Sequence, residues 1–147
     1  MNKLKVGIAG YGIVGKRRKD CIDRSEYAEV MAVCDQTFKS SGVTDNGLKF
    51  FKSYSELLQE ELDILLVCMP NHIASEVTIA GLKKGLHTFC EKPPGRTVAD
   101  IASVIKVEKE NPALKLMYGF NHRYHDSVQE ALKIIRSKEL GKIINMR

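Results

Sequence analysis

The sequence predicts an α/β fold: a doubly wound, mostly parallel sheet of about six strands with helices on both faces. Three observations support this prediction. Short apolar runs alternate with helical patterns along the whole chain, and the connections between them are short. A glycine-rich loop, Gly-Tyr-Gly-Ile-Val-Gly at residues 10–15, separates the first apolar run from the first helical pattern. The length of 147 residues, with 44% hydrophobic and 28% charged residues, suits one globular domain.

The first half of the chain contains three predicted strands and two predicted helices. Ser, Gly, Thr, Asp and Asn mark residues 36–46 as a loop with at most a short helical turn. Ser53 or Ser55 is suited to cap the second helix. In order, the elements are a strand at Lys3–Ala9, a helix from about Val14 to Arg24, a strand at Glu29–Cys34, a short strand at Leu48–Phe51 and a helix from Ser53 to Glu61.

The second half begins with Asp63–Met69, a continuous apolar run that ends at Pro70 and is typical of a central strand buried on both faces. Thr97 is placed to cap the helix after the fifth strand. The other elements are a helix marked by Ile73, Val77, Ala80 and Gly81 and stopped at Gly85, a strand at Leu86–Cys90, a helix with an apolar stripe of Val98, Ile101, Val104 and Ile105, a strand at Leu114–Phe120, a helix marked by Val128, Ala131, Leu132 and Ile135, and a turn opening another strand at Leu140–Arg147.

Six strands connected in this way fit the Rossmann strand order 3-2-1-4-5-6. A ligand then binds outside the carboxyl ends of the strands, at the switch point between the first and fourth strands. We therefore expect the loops after the first, second, fourth, fifth and sixth strands to border the site. They contain Gly10–Gly15, Asp35, Pro70-Asn71-His72, Glu91-Lys92-Pro93 and Asn121-His122-Arg123.

The glycine loop, in this context, predicts a dinucleotide site. Gly10 permits a tight turn out of the first strand, Gly12 lets the backbone approach a pyrophosphate, and Gly15 lets the next helix pack on the sheet. Asp35 ends the next apolar run, 20 residues past Gly15, where an acid accepts hydrogen bonds from the adenosine ribose. The alternative is a glycine turn with only a structural role.

Asp35 favours NAD over NADP, because a carboxylate repels a 2′-phosphate. The neighbouring Gln36-Thr37-Phe38 provides no cation to pair with one, and Lys39 is the only nearby base.

Lys92 is the candidate catalytic residue. A partly buried ammonium on a stiff loop after the fifth strand could exchange a proton with a hydroxyl undergoing oxidation. Pro93 could form a cis bond that aims the lysine. The alternative is that Lys92, like most lysines, is simply solvated.

Two further polar groups have open roles. Asn71 and His72 could contact the nicotinamide riboside or the substrate, or Asn71 could simply cap the next helix. Arg123 could bind an anionic substrate group or pair with an acid. His122 and His125 suggest a metal only superficially, since no cysteine or carboxylate ligand set accompanies them, and we expect no metal site.

Composition excludes several classes of function. The net charge is +5, but the one dense basic run, Lys16-Arg17-Arg18-Lys19, has no aromatic interleaving, so nucleic-acid binding is not expected. That run either attracts cofactor phosphates or forms a solvated helix face. The sequence has no signal peptide or membrane span, which predicts a cytoplasmic protein with no membrane partner. The four cysteines match no zinc or redox motif and are interpreted as small buried hydrophobic residues.

With these residues in view, the chain resembles the N-terminal half of the glucose–fructose oxidoreductase, inositol dehydrogenase and rhizopine-catabolism (Gfo/Idh/MocA) family. The resemblance covers essentially all residues, and Glu-Lys-Pro at 91–93 is its most specific part. Its other segments are Gly-Tyr-Gly-Ile-Val-Gly at 10–15, Cys-Met-Pro-Asn-His at 68–72, Ala-Gly-Leu-Lys-Lys-Gly-Leu-His at 80–87, Phe-Cys-Glu-Lys-Pro at 89–93 and Gly-Phe-Asn-His-Arg-Tyr at 119–124.

The resemblance implies oxidation of a hydroxyl of a sugar, sugar nucleotide or cyclitol by hydride transfer to nicotinamide, with Lys92 beside the reacting groups. Lys92 and Arg123 are then candidate substrate contacts. The candidate cofactor contacts are Gly10, Tyr11, Gly12, Ile13, Val14, Gly15, Asp35, Met69, Pro70, Asn71, His72, Glu91, Lys92, Pro93 and Asn121.

Two departures from the family pattern are expected to matter. Members often have a histidine where this chain has Ala74. The family also has a second α/β domain, which completes the substrate pocket and builds a homo-oligomer. Residues 1–139 are therefore interpreted as the dinucleotide domain and 140–147 as the start of a connection to that domain, in a fragment inactive alone. The alternatives are a free-standing, non-catalytic NAD(H)-binding module and a methyltransferase that uses S-adenosylmethionine, against which Glu-Lys-Pro and the parallel strands argue.

Overall fold

The computed structural model describes residues 2–145; Met1, Met146 and Arg147 lie outside the described residues. A short 3-10 helix at Asn121–Tyr124 precedes the last α-helix. The strands and helices are β1 Leu4–Ala9, α1 Ile13–Ile22, β2 Ala28–Cys34, β3 Gly42–Val43, β4 Lys49–Phe51, α2 Tyr54–Leu57, β5 Ile64–Val67, α3 Asn71–Lys83, β6 His87–Cys90, α4 Val98–Glu110, β7 Leu116–Tyr118 and α5 Asp126–Ser137.

The sheet has the order β3-β4-β2-β1-β5-β6-β7. All strand pairs are parallel except β3 with β4. Without β3 this is the predicted order of six strands, so the Rossmann-type topology is confirmed. The switch point lies between β1 and β5, at the sheet edge formed by the carboxyl ends of β1, β5 and β6.

Residues 36–46 are not only a loop, because Gly42–Val43 forms an antiparallel edge strand. The backbone N–H of Thr44 donates to the Leu48 carbonyl at 2.9 Å, and Gly47 adopts a φ of +82° between them. This tight turn allows the two residues of β3 to pair with β4. A strand of two residues has too little apolar alternation to be recognised in a sequence.

The core lies on both faces of the central strands, as predicted for the fourth apolar run. Ile8 on β1 and Leu65 and Val67 on β5 are fully or almost fully enclosed. Leu57 of α2 and Val77 of α3 pack in the same core. The strand ends that carry the polar loops are therefore held on a rigid base.

The helix ends agree with the predicted caps, whereas the predicted apolar stripe of α4 is wrong in part. Ser53 accepts a hydrogen bond from the backbone of α2, and Thr97 forms a reciprocal capping box with Asp100 at the start of α4. On α4 the buried residues are Val104 and Val107, whereas Val98 is 87% exposed. Helix α2 is also shorter than predicted, because the chain turns after its first helical turn.

The C-terminal segment differs from its prediction as well. No residue of α5 is buried, and residues 140–145 contain no strand, although the sequence predicted one opening there. Leu140 and Ile144 are largely exposed, so the apolar pattern of this segment has no neighbouring strand with which to pair among residues 2–145. The last two residues of the predicted strand lie outside the described range.

The cysteines divide into two groups. Cys34 and Cys90 are buried and Cys68 is half-buried, as expected, but Cys21 on α1 is exposed, which corrects the prediction for that residue. Of the helices in residues 2–145, none combines the length and the apolar character needed to cross a bilayer.

Candidate functional site

The glycine loop connects β1 to α1 in the way the sequence predicts. Gly10 has a φ of +93°, which side-chain-bearing residues rarely adopt, and a Cβ there would collide with the Cys68 carbonyl group. A Cβ on Gly15 would collide with the Gly10 carbonyl oxygen. The first and third glycines are therefore required by the turn and by the packing of α1 on β1.

Gly12 is different, because its own protein surroundings do not require a glycine. Its φ is −75°, and apart from its neighbours in the chain nothing among residues 2–145 lies within 4 Å of the place where a Cβ would be. Gly12 is also the residue from which α1 starts, and the first turn of α1 has neither a side-chain cap nor an acidic residue. Free backbone N–H groups and open space at a helix N-terminus fit a phosphate group.

Asp35 lies beside this loop and is held by three hydrogen bonds. Its Oδ2 accepts from the Tyr11 backbone N–H at 2.9 Å, and its Oδ1 accepts from the backbone N–H and hydroxyl of Thr37 at 3.0 and 2.7 Å. Partial burial raises the pKa of Asp35, but these hydrogen bonds outweigh burial and leave it below its ordinary value. The carboxylate is thus charged and fixed in direction at neutral pH.

A cavity of about 450 Å³ opens between the glycine loop and the ends of β2, β4 and β5. Its wall combines predicted cofactor contacts with residues that sequence reasoning missed. The predicted ones are Gly10, Gly12, Asp35, Met69, Pro70 and His72, and the missed ones include Lys52, Ser53 and Tyr54.

The missed residues follow β4, in the short loop and at the first residue of α2. The carboxyl end of β4 lies at the same sheet edge as those of β2 and β1, so the parallel pairing of β4 with β2 could have indicated them. Tyr54 is held in place by its hydroxyl, which donates to the Glu76 carboxylate on α3.

Some predicted contacts lie outside this wall. Asn71 is the first residue of α3, is exposed and makes no side-chain capping bond. Tyr11 is half-buried, while Ile13 and Val14 are exposed in the first turn of α1. Ala74 is buried in the core, so that position faces away from the cavity wall.

A second, smaller cavity of about 170 Å³ lies at the ends of β6 and β7. Its lining includes the candidate catalytic residue Lys92 together with Asn121 and Arg123, two predicted contacts that follow the sixth predicted strand. Lys92 itself is exposed, which corrects the expectation of partial burial. The lining residues are Lys92, Gly119, Phe120, Asn121, His122 and Arg123.

The two neighbours of Lys92 differ in their surroundings. The Lys92–Pro93 peptide bond is cis. The Glu91 carboxylate is not free, because Arg18 of α1 forms an ion pair with it. Sequence reasoning placed Arg18 only in a basic run and did not connect it to Glu91.

The described residues hold no group of three or more potential metal ligands. The rings of His122 and His125 lie 4.8 Å apart, but two imidazoles alone do not complete a tetrahedral set.

Comparison with known proteins agrees with this geometry. Residues 4–120 match the sequence model of the GFO_IDH_MocA family, described as an oxidoreductase family with an NAD-binding Rossmann fold. The chain is 29% identical to the inositol 2-dehydrogenase of Salmonella typhimurium over 145 residues, which is 95% of this chain and 43% of that protein. It is 28% identical over 144 residues to an NADP(+)-dependent D-xylose 1-dehydrogenase of Haloferax volcanii, covering 96% of this chain and 43% of that protein.

Among solved structures, the chain is similar to the myo-inositol 2-dehydrogenase of Lactobacillus plantarum. The TM-score is 0.82 at 27% identity, with 97% of this chain and 44% of that chain covered. The chain thus spans less than half of the length of each of these relatives.

Proposed function

The chain belongs to the Gfo/Idh/MocA oxidoreductase family and contains its NAD-binding Rossmann domain, and we propose that the whole protein is an NAD-dependent dehydrogenase. In this proposal the reaction oxidises a hydroxyl of a cyclitol, sugar or sugar nucleotide. The substrate class is supported by the inositol and sugar dehydrogenases to which the chain is similar.

The observation that supports the proposal best is the arrangement of two cavities at one sheet edge. The cavity beside Asp35 fits the adenosine half of a dinucleotide, and the cavity beside Lys92 lies at the end of β6. Strand β6 pairs in register with β5, with Val67 opposite Cys90. A dinucleotide that extends from Asp35 across the ends of β1 and β5 would bring its nicotinamide toward Lys92.

The bound NAD would supply the hydride acceptor for the reaction. As the neutral amine, Lys92 would take the hydroxyl proton on its Nζ, and as the ammonium that results it would return this proton in the reverse direction. Asn121 would help orient the nicotinamide end, and Arg123 would hold a polar or anionic group of the substrate, since both line the cavity that contains Lys92.

The remaining cofactor contacts divide by the part of NAD that they would reach. The first-turn amides of Ile13, Val14 and Gly15, with Tyr11 and Gly12, would surround the pyrophosphate. Met69, Pro70, Asn71 and His72 would lie along the middle of the dinucleotide, and Pro93 would shape the loop next to the nicotinamide. Asp35 would accept hydrogen bonds from the ribose hydroxyls and disfavour a 2′-phosphate.

We also propose that residues 1–139 act as the dinucleotide domain and that the pocket for the substrate is completed by a second domain. The exposed apolar side chains of Leu140 and Ile144 support an interface near residues 140–145. We further propose that the whole protein is a homo-oligomer that functions in the cytoplasm.

The test is a comparison of Lys92→Met with Lys84→Met, an exposed lysine at the end of α3 at the opposite sheet edge. NADH binding is measured on the 147-residue chain by calorimetry. Turnover of myo-inositol with NAD is measured on the protein expressed from its native gene. Lys92→Met should lower kcat by about 100-fold or more, because general acid–base catalysis contributes about that much, and should leave NADH binding nearly intact.

Equal turnover in the two variants would refute the role of Lys92. Binding of NADH without turnover of any polyol or sugar would instead favour a non-catalytic NAD(H)-binding module. Absence of NADH binding by the wild-type chain would refute the proposal that the cavity beside Asp35 binds a dinucleotide.

A further inference from the structure

The four basic residues at positions 16–19 of α1 differ in their exposure and in their contacts. Lys16 and Arg17 are exposed, and Lys19 pairs with Asp23 of the same helix at 2.6 Å. Arg18 alone turns to another element. Its Nε donates to Oε1 of Glu91 at 2.6 Å, and a terminal guanidinium nitrogen contacts the same oxygen.

This ion pair is largely enclosed. The Arg18 side chain is 26% exposed and the Glu91 side chain 11% exposed. The Arg18 guanidinium carbon lies 5.2 Å from the centre of the Phe89 ring, a cation–π distance. An ion pair with this degree of burial is screened less by salt than a fully exposed pair.

The far side of the Glu91 carboxylate is also confined. A Cβ on Gly119 at the end of β7 would lie 2.7 Å from Oε2 of Glu91 and 3.2 Å from the Phe89 ring. The Glu91 backbone N–H donates to the Val67 carbonyl at 2.8 Å, which continues the pairing of β6 with β5. Glu91 is therefore held by its main chain and by its side chain at once.

The pair connects the two halves of the proposed site. Arg18 lies on the helix whose N-terminus starts at Gly12, where the pyrophosphate would bind. Glu91 directly precedes Lys92, and Oε2 of Glu91 lies 3.4 Å from the Lys92 backbone nitrogen. The Glu91 carboxylate pairs with Arg18 through Oε1, and among residues 2–145 it forms no ion pair with the Lys92 ammonium.

We propose that the Arg18–Glu91 ion pair positions the loop of Lys92 against the dinucleotide-binding helix and keeps the Glu91 carboxylate away from the Lys92 ammonium. Arg18 and Glu91 are positioning residues in this inference, which rests on the proposed role of Lys92 in catalysis. Glu91 then does not contact the dinucleotide itself, in contrast to its assignment from the sequence.

The experiment compares Arg18→Met, Glu91→Gln and the double variant with Lys19→Met as a matched control. Lys19→Met removes the next cation of the same helix, whose ion pair does not reach another element. Two quantities are measured on the 147-residue chain: the NMR order parameter of the Lys92 amide without cofactor, and the Kd of NADH. Thermal unfolding of each variant checks that the chain is folded.

In the wild type and in Lys19→Met, the Lys92 amide should have an order parameter of a rigid backbone, about 0.85, whereas in Arg18→Met and Glu91→Gln it should fall below about 0.6. The double variant should not fall further, since the two residues act through each other. The Kd of NADH should stay within about threefold of the wild-type value in all four variants.

An unchanged order parameter at Lys92 in both single variants would overturn the inference and leave the pair with a stabilising role only. Weakening of NADH binding by about tenfold in Glu91→Gln but not in Arg18→Met would overturn it in favour of a direct contact between Glu91 and the dinucleotide. The order parameter is measured without cofactor or substrate. A failure of the proposed dehydrogenase function would therefore appear in the Lys92→Met test and not in this one.

Discussion

Replacement of Asp35 by alanine tests the cofactor site most directly. The carboxylate is fixed by hydrogen bonds from the Tyr11 backbone and from Thr37, which leaves its remaining acceptor capacity directed at the cavity beside Gly12. A hydrogen bond to a charged group contributes about 1.5–3 kcal/mol. Because Asp35 is only partly buried, we use the lower end of that range for the ribose hydroxyl.

The expected effect on binding follows from this value. Loss of about 1.4 kcal/mol corresponds to a tenfold increase in Kd, so Asp35→Ala should weaken NADH binding about tenfold. NADPH should not be weakened, because the substitution also removes the charge that repels a 2′-phosphate. The ratio of the two Kd values, measured by calorimetric titration of the 147-residue chain, should therefore shift toward NADPH by at least about tenfold.

The same substitution should lower stability, since the Tyr11 N–H and the Thr37 groups lose their acceptor. We expect a loss of about 1–2 kcal/mol, seen as a fall in Tm of about 2–4 °C per kcal/mol. Asp100→Ala is the matched control. Asp100 also accepts backbone hydrogen bonds, from Arg96 and Thr97 at the start of α4, but it does not line the cavity beside Asp35.

Asp100→Ala should lower Tm without changing either Kd. If Asp35→Ala lowers Tm but leaves the Kd of NADH unchanged, Asp35 only holds the turn after β2. If both variants weaken NADH equally, the effect on binding comes from general destabilisation.

Three other results are expected. Gly12→Ala should leave Tm nearly unchanged, because a Cβ there meets open space, but it should weaken NADH binding at least about tenfold. Gly15→Ala should lower the free energy of unfolding, measured with urea, by about 1–3 kcal/mol, because its Cβ would collide with the backbone. Backbone hydrogen bonds from Arg96 and Thr97 hold the pKa of Asp100 below its ordinary value, so their stabilisation is complete above about pH 4 and is lost as the pH falls through the lower folded-state pKa. The fall in Tm between pH 5 and pH 3 should be smaller in Asp100→Asn, and an equal fall would contradict this. Cys21 should react fastest with a thiol reagent, since it is exposed while burial raises the pKa of Cys34 to about 12; loss of the fast phase in Cys21→Ser is the check.

Local sequence patterns were enough to predict the glycine loop, the position of Asp35 and two helix caps. The first and third glycines, the spacing to Asp35 and the caps Ser53 and Thr97 each depend on a few neighbouring residues, and the structure agrees with all of them. The strand order followed from the alternation of strands and helices with short connections, because parallel strands need crossovers of one hand.

Features that depend on weak or missing local patterns were not predicted. The two-residue strand β3 is recognised only from its pairing with β4, and the exposed face of α4 depends on which helices pack beside it. The segment at residues 140–145 has an apolar pattern but no neighbouring strand among the described residues, so the pattern alone predicted a strand that is not there.

The sequence by itself determined the fold class, the glycine turn and the identity of Asp35 and Lys92 as candidates, because glycine geometry and strand order are encoded over short distances. Only the tertiary structure decided that Lys52, Ser53 and Tyr54 line the cavity and that Arg18 holds Glu91. Arg18 and Glu91 are 73 residues apart in the chain. Their contact exists because the parallel sheet places the carboxyl ends of β1 and β6 at one edge, where Arg18 on the helix after β1 meets Glu91 after β6. A long-range contact of this kind leaves no periodic trace in the sequence.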